Sequence, residues 1–175
     1  MRILLLLLPL LSFACIDNSG GEAPSGTDLS LSAAGPSIGT CTDFSGDAIA
    51  LLDSEAAIDT WLSGCPNEAA AISAALVPVL DELADGERLV AIRIGLGGCV
   101  QDWHLRGLFL DATTINAWAL KADTAFGRGE QPCTDDIGVD ERYVIAGGAA
   151  AAREAKLTIG RYNPDLPGAP LLPGE

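Results

Sequence analysis

The chain has 175 residues, enough for one domain with a hydrophobic core, and carries 10 Lys+Arg against 24 Asp+Glu for a formal charge of −14. So acidic a surface argues against nucleic-acid binding, which rests on Lys and Arg neutralising phosphates, and against a polybasic grip on anionic lipid. Charge of this sign serves solubility, and it attracts cations without selecting among them.

At the amino terminus, Arg2 gives a minimal positive start and Ile3–Leu11 an apolar run interrupted by Pro9. The run is far short of the ~20 residues that span a bilayer as a helix. A charged start, a short apolar centre and small residues before a cleavage point form a secretory signal. The end of the run, Leu11-Ser12-Phe13-Ala14-Cys15, resembles the lipobox of bacterial lipoproteins through Ala14 and Cys15. Ser12 and Phe13 depart from the Leu and the small or branched residue preferred at their positions.

The resemblance implies loss of a signal peptide 1–14, a diacylglycerol on the Cys15 sulfur and acylation, palmitate for example, of the new amine. Ser12-Phe13-Ala14 also meets the small-x-small rule of ordinary signal peptidase, so a soluble secreted product cut at the same bond is the alternative. By the rule known for enterobacterial lipoproteins, Ile16 rather than Asp after the cysteine implies the outer membrane over the inner. Each buried methylene is worth about 0.8 kcal/mol, so two or three chains hold firmly. Cleavage removes only Arg2 among the charged residues, leaving the mature chain one unit more negative.

With Cys15 set aside, Cys41, Cys65, Cys99 and Cys133 remain, an even number in an exported chain. Three pairings are open. Nearest-neighbour pairing, Cys41–Cys65 and Cys99–Cys133, is preferred because each bridge then staples a local excursion, at roughly 3–4 kcal/mol per bridge in the chain-entropy model. The rival, a four-thiolate metal site, calls for short CxxC spacings that are absent.

Residues 15–40 have the Gly, Ser and Pro content of a flexible linker behind the lipidated cysteine, with a reach of roughly 25–30 Å. A globular domain is expected over 41–162. Ala48–Leu52 reads as a short strand or lead-in. Ser54 is suited to cap a helix whose first turn holds Glu55 and whose apolar face holds Ile58, Trp61 and Leu62. A second helix starts near Pro66, with Ile72, Leu76, Val79, Leu80 and Leu83 in its stripe; Pro78 predicts a kink or two abutting segments.

Val90, Ile92 and Ile94 alternate with Ala91 and Arg93, the period of a half-buried strand, and Gly95-Leu-Gly-Gly98 predicts a turn. Val100–Leu110 predicts a strand with Trp103, Leu105 and Phe109 on one face and Asp102, His104 and Arg106 on the other. Thr113–Lys121 follows as a strand with Thr114, Asn116, Trp118 and Leu120 on one face. Residues 122–141 predict a long loop pinned by Cys133. Arg142–Ala146 and Ala155–Tyr162 predict two further strands, and 163–175, with four prolines, an extended tail. The expected fold is a single α+β domain: a mainly antiparallel sheet with one or two amino-terminal helices packed on one face, braced by two disulfides.

Few residues offer chemistry. His104, the only histidine, could act as a general base with Asp102 on the same strand face, but an exposed polar face explains both residues as well. Asp135, Asp136, Asp140 and Glu141 are weak calcium candidates without the alternating acids of an EF-hand loop. The glycines at 95–98 and at Gly127 and Gly129 complete no phosphate-binding motif and read as turns. Among the tryptophans, Trp118 shares its face with Asn116 and Thr114 and is the one expected to be partly exposed; it and His104 are weak binding candidates.

Residues 88–162, a strand, a Gly-rich turn, two long strands, a loop with Pro and two closing strands, are also similar in order to the small domain of bacterial protease-complex accessory lipoproteins. Leu96-Gly97-Gly98-Cys99 stands where that family has Thr-Gly-Gly-Tyr. Only the turn glycines Gly97 and Gly98 carry over. The expected function is thus a membrane-anchored, non-catalytic binding or structural lipoprotein of the cell envelope, with no cofactor, catalytic or metal residue assigned. Its partners would be the membrane through the anchor and either an envelope protein or a small ligand, with no nucleic acid. The alternatives are an envelope hydrolase using His104 with a carboxylate and an accessory subunit of an envelope protease.

Overall fold

Leu89, Ala91 and Arg93 are buried along with the alternating Val90, Ile92 and Ile94, so β4 (Arg88–Gly98) is covered on both faces rather than one. A strand buried on both sides needs a layer on each. The computed structural model, which describes residues 18–33, 41, 46–65, 67–128 and 133–170, shows what those layers are. Before β4 come β1 (Thr27–Asp28), β2 (Ser30–Ala33), β3 (Ala48–Leu52), α1 (Glu55–Leu62) and α2 (Ala69–Glu82); after it come β5 (Val100–Asp111), β6 (Thr114–Asp123), β7 (Thr134–Gly147) and β8 (Glu154–Tyr162). Residues 1–14, Cys15, Pro66 and 171–175 lie outside the described residues.

The α+β expectation holds for one domain, but its strands divide into two stacked sheets instead of one. The first has the order β1-β5-β6-β8, the second β2-β7-β4-β3. All pairs are antiparallel except β6 with β8, which the chain joins by crossing to β7 in the second sheet and returning. Between the sheets lies the main core, Val90, Ile92 and Ile94 against Trp103, Leu108 and Ile115. On the second sheet's other face, Ile58, Trp61 and Leu62 of α1 and Ile72 and Leu76 of α2 pack on Leu52, Leu89, Ala91 and Tyr143. Burying each of the large aliphatic side chains contributes about 1.5–3 kcal/mol.

α1 forms where its cap signal lies. Ser54 is extended, and its Oγ accepts the Ala57 N–H at 3.2 Å. α2 runs unbroken through Pro78, so the two-segment alternative does not arise. Both expected bridges are present, Cys41–Cys65 and Cys99–Cys133, with Cα–Cα distances of 5.5 and 5.0 Å.

Several boundaries move. Gly95–Gly97 are not a turn: they continue β4, paired with Val139, Gly138 and Ile137, and the break comes at Gly98–Cys99, where the chain passes to the other sheet. The supposed loop 122–141 is strand from Thr134 onward, because pairing with β4 fixes its backbone whatever the solubility of its side chains. Phe109 leaves the face of Trp103 and Leu105. A bulge between Leu105 and Gly107 inverts the phase, so that Leu108 and Leu110 turn inward.

The linker reading of 15–40 fails at Thr27–Ala33. β1 closes the first sheet against Leu110 and Phe109, and β2 closes the second against residues 144–147. Between them the chain steps across the sandwich edge at buried Leu29, whose N–H donates to the Leu108 carbonyl at 2.9 Å. The tail reading fails at Asn163, which is fully buried. Its backbone N–H donates to Asn18 Oδ1 at 2.6 Å, and its Nδ2 donates to the carbonyls of Thr124 and Phe126. Asn18 Nδ2 in turn donates to the carbonyls of Asn163, Leu166 and Pro167 at 3.0, 3.2 and 3.3 Å. Asn18 and residues 163–167 are therefore clasped together on the outer side of the first sheet.

Candidate functional site

The first sheet turns outward a face that brings together the two residues singled out for binding. Alternation along β6 sends Trp118 and Leu120 that way, while Ile115, Ala117 and Ala119 enter the core. His104 sits opposite Leu120, and Trp118 opposite Gly107. The bulge leaves Arg106 out of the cross-strand register, with its guanidinium carbon 5.8 Å from the Trp118 ring centroid. Such a contact is worth about 0.5–1 kcal/mol at an accessible site. Trp118 is half-buried, as expected, and packs with Leu120, Ala122 and Tyr162.

His104 Nε2 lies 3.6 Å from Asp102 Oδ2, with side-chain exposures of 28% and 59%. At that distance the pair attracts only when the imidazole is protonated, and solvent screens it. The geometry orients the ring weakly and leaves it open to water.

Of the acidic candidates, Asp140 and Glu141 do not join this face. The side chains of Asp135 and Asp136 lie outside the described residues. Asp140 Oδ2 accepts the Trp103 indole N–H at 2.6 Å and Arg142 Nε at 3.3 Å, and the Arg142 guanidinium lies 4.1 Å from the Trp103 ring centroid. Glu141, the next residue on the strand, points the opposite way and is buried under α1. Oxygens taken up by N–H donors on opposite faces of one strand do not converge on a cation.

Glu141 belongs to a cluster that sequence reasoning missed. Its Oε1 accepts both Nε and Nη2 of buried Arg93; its Oε2 accepts the Tyr143 hydroxyl at 3.2 Å and the Cys41 N–H at 3.1 Å. Arg93 also stacks on Trp61, 4.3 Å from the ring centroid. Burial pushes the Tyr143 phenol well above its ordinary value, and the Glu141 carboxylate pushes it further. The Trp61 indole N–H opposes that rise from nearby, yet its geometry falls short of a hydrogen bond, leaving Nε1 buried without a partner among the described residues. Trp61 and Arg93 floor a groove of about 630 Å³ walled by small residues of β3 and α1, including Ala50, Ala57 and Thr60.

A second missed cluster lies at one end of the sandwich. Lys121 is buried, and its Nζ donates to both Asp47 oxygens at 2.7 and 2.9 Å and to the Gly95 carbonyl at 3.0 Å. Asp123, also buried, meets Arg161 at 3.4 Å. These residues line a cleft of about 400 Å³ beside the Cys99–Cys133 bridge. One signal was in the sequence: Lys121 continues the inward phase of Ile115, Ala117 and Ala119, where a charge needs a partner. In both clusters each cation is matched by a carboxylate, so they tie layers together. The outward face, with its indole, guanidinium and imidazole, is the part equipped to meet another surface.

The chain matches no known protein family, no curated protein and no solved structure closely enough to establish a likeness.

Proposed function

We propose that this chain is an exported lipoprotein of the bacterial cell envelope, anchored through acylated Cys15 and serving as a non-catalytic binding or structural domain. The observation that carries the reading is the signal-type segment ending at Ala14-Cys15, ahead of four cysteines that pair with one another. Two disulfides belong to an oxidising compartment outside the cytoplasm, which agrees with export. Their pairing accounts for every cysteine other than Cys15. No helix among the described residues is long and apolar enough to cross a membrane, so the lipid would be the attachment. Ile16 after the cysteine favours the outer membrane.

Mass spectrometry of the protein purified from membranes tests the anchor. The expected amino-terminal peptide begins at Cys15 and carries a diacylglycerol with or without an amide-linked chain. An unmodified Cys15 with residues 1–14 still attached overturns the reading. Screening against ester, amide and glycoside substrates tests the rest: a turnover present in the wild type and lost in His104→Ala would replace a binding role with a hydrolytic one.

A further inference from the structure

The clasp at Asn18 sets how far a lipid on Cys15 could stand from the folded body. Three residue steps of at most about 3.6 Å separate Cys15 from Asn18, so the anchored cysteine lies within about 11 Å of a buried residue. Headgroups occupy roughly 5–7 Å on each side of the hydrocarbon. A body held on so short a connection rests on the headgroups, unlike one on a leash of some 25 residues.

The same clasp chooses the face. From Asn18 the chain lies over the first sheet's outer side: an added Cβ at Gly160 would stand 1.8 Å from the Gly20 carbonyl oxygen, and one at Gly20 would stand 2.6 Å from the Leu120 side chain. Farther along, Gly26 backs onto the Leu110 carbonyl and β1 joins β5. This strap is on the side opposite the helices, which pack on the other sheet.

Charge separates the two sides in the same sense. Between Asp53 and Arg88 the chain carries eight carboxylates and one base, most of them exposed in or beside the helical layer. Around the clasp, Arg128 meets Asp165 at 3.3 Å and Arg161 meets Asp123 at 3.4 Å, and on the adjoining outer face Arg106 and Lys156 stand against Asp28, Asp102 and Glu154, so this side is far nearer balance. Anionic lipid repels the first surface more than the second. A half-buried indole beside a guanidinium also suits the headgroup level, where tryptophan concentrates.

We propose that the strap side of the first sheet, with residues 163–168, docks directly on the phospholipid surface, and that the acidic helical layer faces away from it. This inference rests on acylation of Cys15. The test uses the full chain in its membrane, with a phospholipid bearing a photoactivatable carbene precursor in the headgroup, and maps the adducts by mass spectrometry. Adducts within residues 102–109, 116–118 and 156–168 are expected to exceed those within 53–87 by about tenfold. Inserting a 20-residue Gly/Ser segment between Ile16 and Asp17 is expected to reduce that preference to about twofold, because local concentration falls with tether length. Equal labelling of the two sides in the uninserted chain, or a helical-side preference, with Cys15 acylated, overturns the docked orientation and leaves the anchor standing. An unacylated Cys15 overturns both.

Discussion

Arg93 and Glu141 face each other across β4 and β7 as a buried ion pair beneath α1, with the Tyr143 hydroxyl and the Cys41 N–H completing the carboxylate's bonds. Two charges removed from water stabilise a fold only when both are present and well bonded. Glu141→Ala is therefore expected to cost about 3–5 kcal/mol by leaving Arg93 buried and uncompensated. The double variant Arg93→Met/Glu141→Leu, which removes both charges at similar volume, should recover most of that loss. Urea denaturation midpoints of the three proteins check this; a double variant no better than Glu141→Ala would show that the pair is itself net stabilising.

Tyr143 links this cluster to pH. Burial first, and the Glu141 carboxylate second, raise its phenol above the ordinary value. The unfolded chain then releases its proton at lower pH than the folded one, so the unfolded state binds fewer protons as pH climbs past about 10. The stabilisation is complete below that pH and is lost above it. In the folded protein, Tyr143 should contribute nothing to the tyrosinate absorbance near pH 11. Tyr143→Phe is expected to leave that amplitude unchanged while flattening the alkaline fall in stability. A smaller amplitude in the variant would show that Tyr143 ionises normally.

What the sequence revealed and what it hid follow from which forces are local. The Ser54 cap, the α1 stripe and the strand periods of β4 and β6 are written within a few residues, and each element appears where expected, although β4 is buried on both faces rather than one. The division into two sheets is not local. It depends on β4 choosing β7 over β5, a pairing of residues 36 to 58 positions apart, and on β1 and β2, whose Thr and Ser content looks like linker until backbone pairing is known. Gly107, a glycine inside a strand pattern, was a readable sign of the bulge that puts Arg106 against Trp118. The outward placement of Trp118 and His104 was legible for the same reason as the strands, and Lys121 was legible as a charge in the inward phase of β6; Arg93 and Glu141 were not, since a long charged side chain hides in any polar phase until its partner is seen.

The two disulfides should respond differently to reductant. Cys41 and Cys65 are fully buried beside α1, whereas Cys133 is exposed at the sandwich end. A thiolate must reach sulfur to exchange, so access sets the order. Mild reduction followed by alkylation is expected to label Cys99 and Cys133 first, with Cys41 and Cys65 protected until the domain unfolds. Replacing either pair with serine should cost about 3–4 kcal/mol for closed loops of this length. Labelling of all four cysteines at one rate would show that the buried bridge opens without unfolding.

Asn18 and Asn163 make the last prediction, since they decide whether the amino-terminal stretch is fold or leash. Asn18 uses both side-chain polar atoms on the 163–167 segment, while Asn163 donates its Nδ2 to the carbonyls of Thr124 and Phe126 after β6 and accepts the Asp165 N–H on its Oδ1. Removing the Asn18 side chain strands a buried backbone N–H and several carbonyls, so Asn18→Ala is expected to cost about 1–3 kcal/mol. Gly160→Ala attacks the same contact from the other side, by placing a methyl where the Gly20 carbonyl lies. Either change should free residues 18–26 from Leu120 while the sandwich core persists, because β1 and β2 still pair. Hydrogen exchange would then rise at Gly20, Gly21 and Asn163 and stay low in β4 and β6. Unaltered exchange at Gly20 in both variants would mean that the strap is held by something other than this clasp.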